Sequence, residues 1–303
     1  LCDLRVQPPQ VIAHQLSQQF RRIGRQVGFP TQGTNLCKVV IPAGHHSGRH
    51  RHGEEAIHIL AGFGFIVVDG RRYGFHAGTT IHVPYRSEHQ LFNTGSAPVG
   101  YLSGLAWHLE ADVYMGKLEQ LEECGENDSK IMGQLPKEES QYWPEDGRRI
   151  SMHQNQHEKS GESKHGATYF LMGRSGKQNG FKATGVAISS IFVDLAHTKS
   201  HSHAHPEAYL YALEGDGYSE IGGKRYDWNQ GDAVHVPPGM LHHQHFNPYD
   251  RDMKELRFEF ANPLQRQLMG GLQHGLRTSE ERPTAVVAGR GEAQLGEAGS
   301  KNF

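Results

Sequence analysis

From about Leu36 the chain alternates short apolar runs with polar, glycine-bearing turns, the period-two pattern of strands buried on one face. Lys38-Val39-Val40-Ile41 and Gly64-Phe65-Ile66-Val67-Val68 are such runs, and Asp69-Gly70 is a two-residue hairpin signal. The pattern lasts to about Leu105, resumes at Ala167–Leu171 and Val186–Val193, and continues to Phe260. Two stretches have helical spacing instead: residues 8–27, with Val11, Ile12, Leu16, Phe20 and Ile23 after Pro8-Pro9, and residues 109–123, with Val113, Leu118 and Leu121. Residues 124–165 are rich in Glu, Gln, Lys, Ser and Gly and read as a linker or a long decorated loop. The last stretch, about 275–303, is rich in Gly, Glu, Arg and Ala and reads as disordered. The pattern predicts a mainly all-β protein in five parts. These are an N-terminal helical segment (1–35), a first β-unit (36–108), a helix and polar linker (109–165), a second β-unit (166–264) and a partly disordered tail (265–303).

The two β-units are copies of one another. Shifting the chain by 153 residues places His50-Arg51-His52 on His203-Ala204-His205 and Glu54 on Glu207. Gly62 and Gly64 fall on Gly215 and Gly217, Gly78 on Gly231, His82-Val83-Pro84 on His235-Val236-Pro237, and His89 on His242. One insertion then brings Phe92-Asn93 onto Phe246-Asn247, and the molecule reads as a tandem duplication. The glycines read as turn formers.

Composition sharpens this reading. The chain holds 22 His, of which eight lie between His45 and His89 and eight between His197 and His245. Net charge is −2 with no block of Lys or Arg, which argues against nucleic acid, and no run of 18 apolar residues suggests a membrane span. Cys2, Cys37 and Cys124 share no close spacing, so neither a disulfide framework nor a thiolate zinc site is expected. The start at Leu1 reads as a truncated or processed end, and a reducing, cytoplasmic setting is the default expectation. Two His at i, i+2 on an extended segment project to one face, and a third arrives about 37 residues later, beyond a hairpin and a turn at Pro84 or Pro237. Three imidazoles converging from separate strands suit a divalent metal with open positions, while ligand type alone does not choose among Fe, Mn, Cu, Ni and Zn. A lone loop histidine is more often solvated than a ligand, but matched sets in both copies reverse that balance.

These motifs resemble those of the cupin family. The second cupin motif is matched by Gly78, Pro84, His89 and Asn93, departing where Arg86 replaces Gly, and again by Gly231, Pro237, Gly239 and His242, with Asn247 one residue late. The first is matched in outline by His50, His52 and Glu55 ahead of Gly62, with a shortened interval from His52 to Glu55. In the second copy Ala208 stands at the position of Glu55, and His201-Ser202-His203 rivals His203-Ala204-His205 as the ligand pair. The resemblance implies tandem double-stranded β-helix (jelly-roll) barrels with a few flanking helices. It implies metal ligands His50, His52 and His89 in the first and His203, His205 and His242 in the second. Glu55 is a fourth ligand or a nearby base, Arg86 a clamp for a substrate carboxylate, and His82 a cavity-lining candidate, against bland readings as surface charge and core histidine.

Weakening of the carboxylate ligand is similar to two-domain cupins such as gentisate 1,2-dioxygenase and 1-hydroxy-2-naphthoate or salicylate dioxygenases. That resemblance implies a non-haem Fe(II) ring-cleaving dioxygenase taking a hydroxylated aromatic acid and O2. A second reading is a Mn(II) decarboxylase of oxalate type, and a third a cupin that only binds a small molecule. A homo-oligomer is expected, because such barrels commonly exchange strands.

Overall fold

The computed structural model describes residues 2–3, 19–23, 31, 34–106, 118–172, 179–183, 185–205, 207–237, 241–260 and 276–277. They are almost entirely antiparallel β-structure, in several sheets that form tandem barrels. The chain divides into two compact units. One comprises Val6–Glu158 and Phe170–Ile188, and the other Leu1–Arg5, Lys159–Tyr169 and Ser189–Phe303.

In the first unit, one sheet runs Ser151–Met152, Thr80–Val83, Glu55–Ala61, Val99–Leu105, Asn35–Ile41 and Gln19–Ile23. A second runs Glu119–Gln120, His50–Arg51, His89–Asn93, His45–His46 and Gly125–Glu126, and the hairpin Phe63–Val68/Arg71–His76 joins it at His89–Asn93. Alternate residues turn inward, so Val39, Ile41, Ile57, Ile59, Ile66, Val68, Ile81 and Leu91 form one buried cluster. Burying each such side chain is worth about 1.5–3 kcal/mol, which is what holds the sheets face to face. The second unit repeats the plan. Ala208–Glu214 lies between Asp232–Val236 and Met253–Glu259, facing a sheet of Lys224–Trp228, Gly217–Ile221, His243–Asn247 and His203–Ala204. Its core includes Leu210, Trp228, Val234, Val236 and Met253.

Several expectations need correction. Within residues 8–27 the described part, Gln19–Ile23, is a strand paired along Asn35–Ile41, not a helix. An open sheet edge offers a full row of backbone partners, and that outweighs a modest helical propensity. In 109–123, residues 109–117 lie outside the described ones, and Glu119–Gln120 is a strand paired with His50–Arg51. Nor is the polar stretch a plain linker. Ser151–Met152 pairs with Thr80–Ile81 and buries Ile150 and Met152, and Asp128 caps the short helix Ser129–Gln134. The tail after residue 260 is described only at Leu276–Arg277, a strand paired with His203–Ala204.

The repeated glycines divide into two kinds. Asp69 and Gly70, with φ of 44° and 73°, form the predicted hairpin turn. Gly64 is needed for another reason, since a Cβ there would collide with the carbonyl oxygen of Phe92. At its counterpart Gly217 a Cβ would lie 2.7 Å from the carbonyl oxygen of Phe246. The motif asparagines are staples. Asn93 Nδ2 donates to the carbonyls of Ile41, Pro42 and Ala97 at 3.1, 2.9 and 2.9 Å. Asn247 Nδ2 does the same with Asp194, Leu195 and Arg251 at 3.1, 3.1 and 2.7 Å.

Candidate functional site

In the first barrel, strand pairing sets His89 directly opposite His50. The i, i+2 spacing brings His52 to the same face, and the ligand nitrogens of His50, His52 and His89 all lie within 4.8 Å of one another. Each ring is oriented by its other nitrogen. The Nδ1–H groups of His50, His52 and His89 donate to the carbonyls of Gly48 (2.6 Å), Gly53 (2.9 Å) and Ser87 (3.0 Å). That fixes the tautomer and turns the Nε2 lone pairs inward, as in metal-binding histidines.

Glu55 completes this cluster. Its Oε2 lies 3.3 Å from His89 Nε2 and 3.6 Å from His52 Nε2, and Ser103 Oγ donates to its Oε1. Burial, followed by the charges of His89 and His52, keeps the His50 imidazole neutral well below its ordinary range. Burial is also the main cause holding His52 down to about 4. For Glu55, burial alone would raise the pKa, but its contact with His89, the charge of His52 and the Ser103 hydroxyl outweigh it and hold it to about 2. The Nε2 atoms of His52 and His89 thus converge on the Glu55 carboxylate, and the buried His89 Nε2, 3.3 Å from it, makes no hydrogen bond of good geometry. Groups that are all acceptors repel unless a cation lies between them, so this donor set fits a divalent metal.

The second barrel gathers His203, His205 and His243, again within 4.8 Å. His243 takes the place expected for His242, which is exposed. It pairs across the sheet with His203, as His89 does with His50. The one-residue insertion lies between Pro237 and His243, ahead of the strand rather than after it. A one-residue shift of register reverses which side chain points inward. His203 and His205 form the pair, and the rival His201 is exposed. His243 Nε2 lies 3.0 Å from His205 Nε2. Burial is the largest cause lowering His203 to about 3 and His243 to about 4.

The structure does not bring two other candidates to the cluster. His82 pairs with Ala56, so it points to the opposite face from Glu55, and its Nε2 lies 2.7 Å from Glu54. Glu54 also accepts from the backbone N–H groups of Gly185 and Val186, which makes the pair a buried tie. His235 and Glu207 repeat it at 2.7 Å. Arg86 adopts φ 64°, which explains the glycine usual at that place, and its guanidinium sits 2.9 Å from Glu119 Oε1. Glu119 holds Arg51 as well, at 2.6 Å, so the arginines around this site are joined in surface ion pairs. Sequence reasoning missed Ser103 and Glu119, which no motif marks.

Residues 37–104 and 193–257 each match the family described as the cupin domain, so each of the two barrels carries a cupin domain. A 70-residue stretch is 30% identical to an uncharacterized protein of Methanocaldococcus jannaschii, covering 22% of this chain and 56% of that protein. Among solved structures, a variant of the oxalate decarboxylase of Bacillus subtilis superposes with a TM-score of 0.64 at 13% identity, covering 86% of this chain and 76% of that one. A salicylate 1,2-dioxygenase from Pseudaminobacter salicylatoxidans gives 0.60 at 15% identity over 79% of this chain and 74% of that one. The oxalate decarboxylase of Lactobacillus farciminis, in a formate complex, gives 0.63 at 14% identity over 86% of each chain. At such identities the likeness establishes the fold alone. Among the described residues no helix is long and apolar enough to cross a membrane.

Proposed function

We propose that the chain is a divalent-metal enzyme for a small organic acid that chelates through two oxygens, and that His50, His52, His89 and Glu55 form its seat. One observation carries this reading: the Glu55 carboxylate faces the Nε2 atoms of His89 and His52 at 3.3 and 3.6 Å. A metal bound there supplies a Lewis acid for the two substrate oxygens. The protein's part is orientation. Backbone carbonyls fix the three rings, Ser103 fixes Glu55, and Glu55 offsets part of the metal's charge.

Glu55 favours Mn(II) and decarboxylation of oxalate type at this site over the dioxygenase expected from a three-histidine set. In that reaction the carbon–carbon bond breaks, CO2 leaves, and the electron pair left on the other carbon takes a proton to give formate. The second reading, an Fe(II) dioxygenase placing both atoms of O2 into a cleaved hydroxylated aromatic acid, is favoured at the second cluster, where Ala208 leaves three neutral imidazoles. Parallel records of CO2 release and O2 uptake separate the two. Protein loaded with Mn(II) and given oxalate is expected to release CO2 with little net O2 uptake. Stoichiometric O2 uptake with gentisate on Fe(II)-loaded protein would favour the dioxygenase, and neither signal would contradict both readings.

A further inference from the structure

The two clusters differ at two matched positions. Glu55 pairs across the sheet with Leu105, and Ser103 with Ile57. In the second barrel the same ladder pairs Ala208 with Glu259, and Leu210 with Arg257. Ala208 therefore stands where Glu55 stands, and Arg257 where Ser103 stands. A carboxylate and the hydroxyl that holds it are replaced by a methyl group and a guanidinium. Alternation along Met253–Glu259 turns Arg257 to the same face as Glu255, which lies 3.9 Å from His245 beside the cluster. Arg257 Nη2 lies 3.2 Å from Glu259 Oε1, with both side chains more than four-fifths covered.

A divalent cation entering this cluster meets imidazoles and a guanidinium; of the carboxylates on that face, Glu259 is paired with Arg257 and Glu255 lies 3.9 Å from His245, so neither stands where Glu55 stands in the first cluster. Resting on the metal reading above, we infer that the second cluster holds a divalent metal only together with an external carboxylate, which takes the place of Glu55 and pairs with Arg257. The first cluster takes its metal without help. The duplicated barrels would then carry one permanent metal site and one that reports the presence of a small organic acid.

Mn(II) binding to the metal-free full chain, followed by the electron paramagnetic resonance of the free ion with and without acetate, tests this. The wild type is expected to bind one Mn(II) alone and a second when acetate is added. In His50→Ala, where only the second cluster remains, acetate is expected to tighten binding by about tenfold or more. Arg257→Gln should reduce that gain to about threefold or less. Ala208→Glu combined with Arg257→Ser, which copies the first barrel, should bind without acetate. Equal affinity at the second cluster with and without acetate overturns the inference, as does the lack of a second Mn(II) under both conditions. Absence of Mn(II) from the first cluster in His203→Ala would instead contradict the proposed function.

Discussion

At the scale of the residue, adjacent side chains at the entry to one strand have unlike tasks. Glu54 ties a backbone segment and His82, while Glu55 turns toward the histidine cluster. Glu55→Gln keeps the shape but removes the charge, so metal affinity at the first cluster is expected to fall by at least about tenfold while the melting temperature holds. Isothermal titration of His203→Ala with and without this change checks it; unchanged affinity would remove Glu55 from the ligand set. His58 gives a pH prediction. It is buried with Nδ1 3.1 Å from Thr80 Oγ1, and burial, then the charge of His157, holds its pKa down to about 3. A lowered histidine pKa means that the unfolded chain binds the proton first. His58 therefore contributes stability fully above about 6.5, and that contribution is lost as pH falls toward 3. Urea midpoints of wild type and His58→Gln should diverge at neutral pH and converge toward pH 4; a pH-independent gap would contradict this. Which residues gather at the first cluster was legible because histidines that converge from paired strands have a sequence spacing. Ser103 was not, because a hydroxyl that supports a ligand can come from any neighbouring strand.

At the scale of the element, period-two alternation showed where strands lie, and the duplication doubled the signal. Its failures have physical causes. Residues 19–23 pair as a strand because an adjacent edge is available, which local spacing does not reveal. The second cluster uses His243 because an insertion between Pro237 and the strand shifts the register by one, and aligned letters alone do not place that shift. The paired asparagines belong here too. Asn93→Ala and Asn247→Ala each strand backbone carbonyls at the end of a barrel strand, and each is expected to cost about 1–3 kcal/mol in denaturant unfolding. Equal, small losses at both positions would mean that water replaces the amide without penalty. Gly64→Ala should be worse than Gly70→Ala, since the first collides with Phe92 and the second has open space around its Cβ.

At the scale of the whole molecule, tandem all-β barrels followed from the repeat, because each copy carries its own apolar strands, turns and histidines. The repeat already set Ala208 against Glu55, so the missing carboxylate of the second cluster was legible. What it could not convey is the exchange of the Ser103 hydroxyl for the Arg257 guanidinium, since both lie outside the matched motifs. The claim on which the rest depends is that the first cluster is the stronger metal seat. The most direct measurement is elemental analysis per chain of protein purified without chelators, for wild type, His50→Ala and His203→Ala. The account predicts close to one divalent metal in wild type and in His203→Ala, and loss of most of it in His50→Ala. Metal retained by His50→Ala but lost from His203→Ala, or negligible metal in all three, would contradict it.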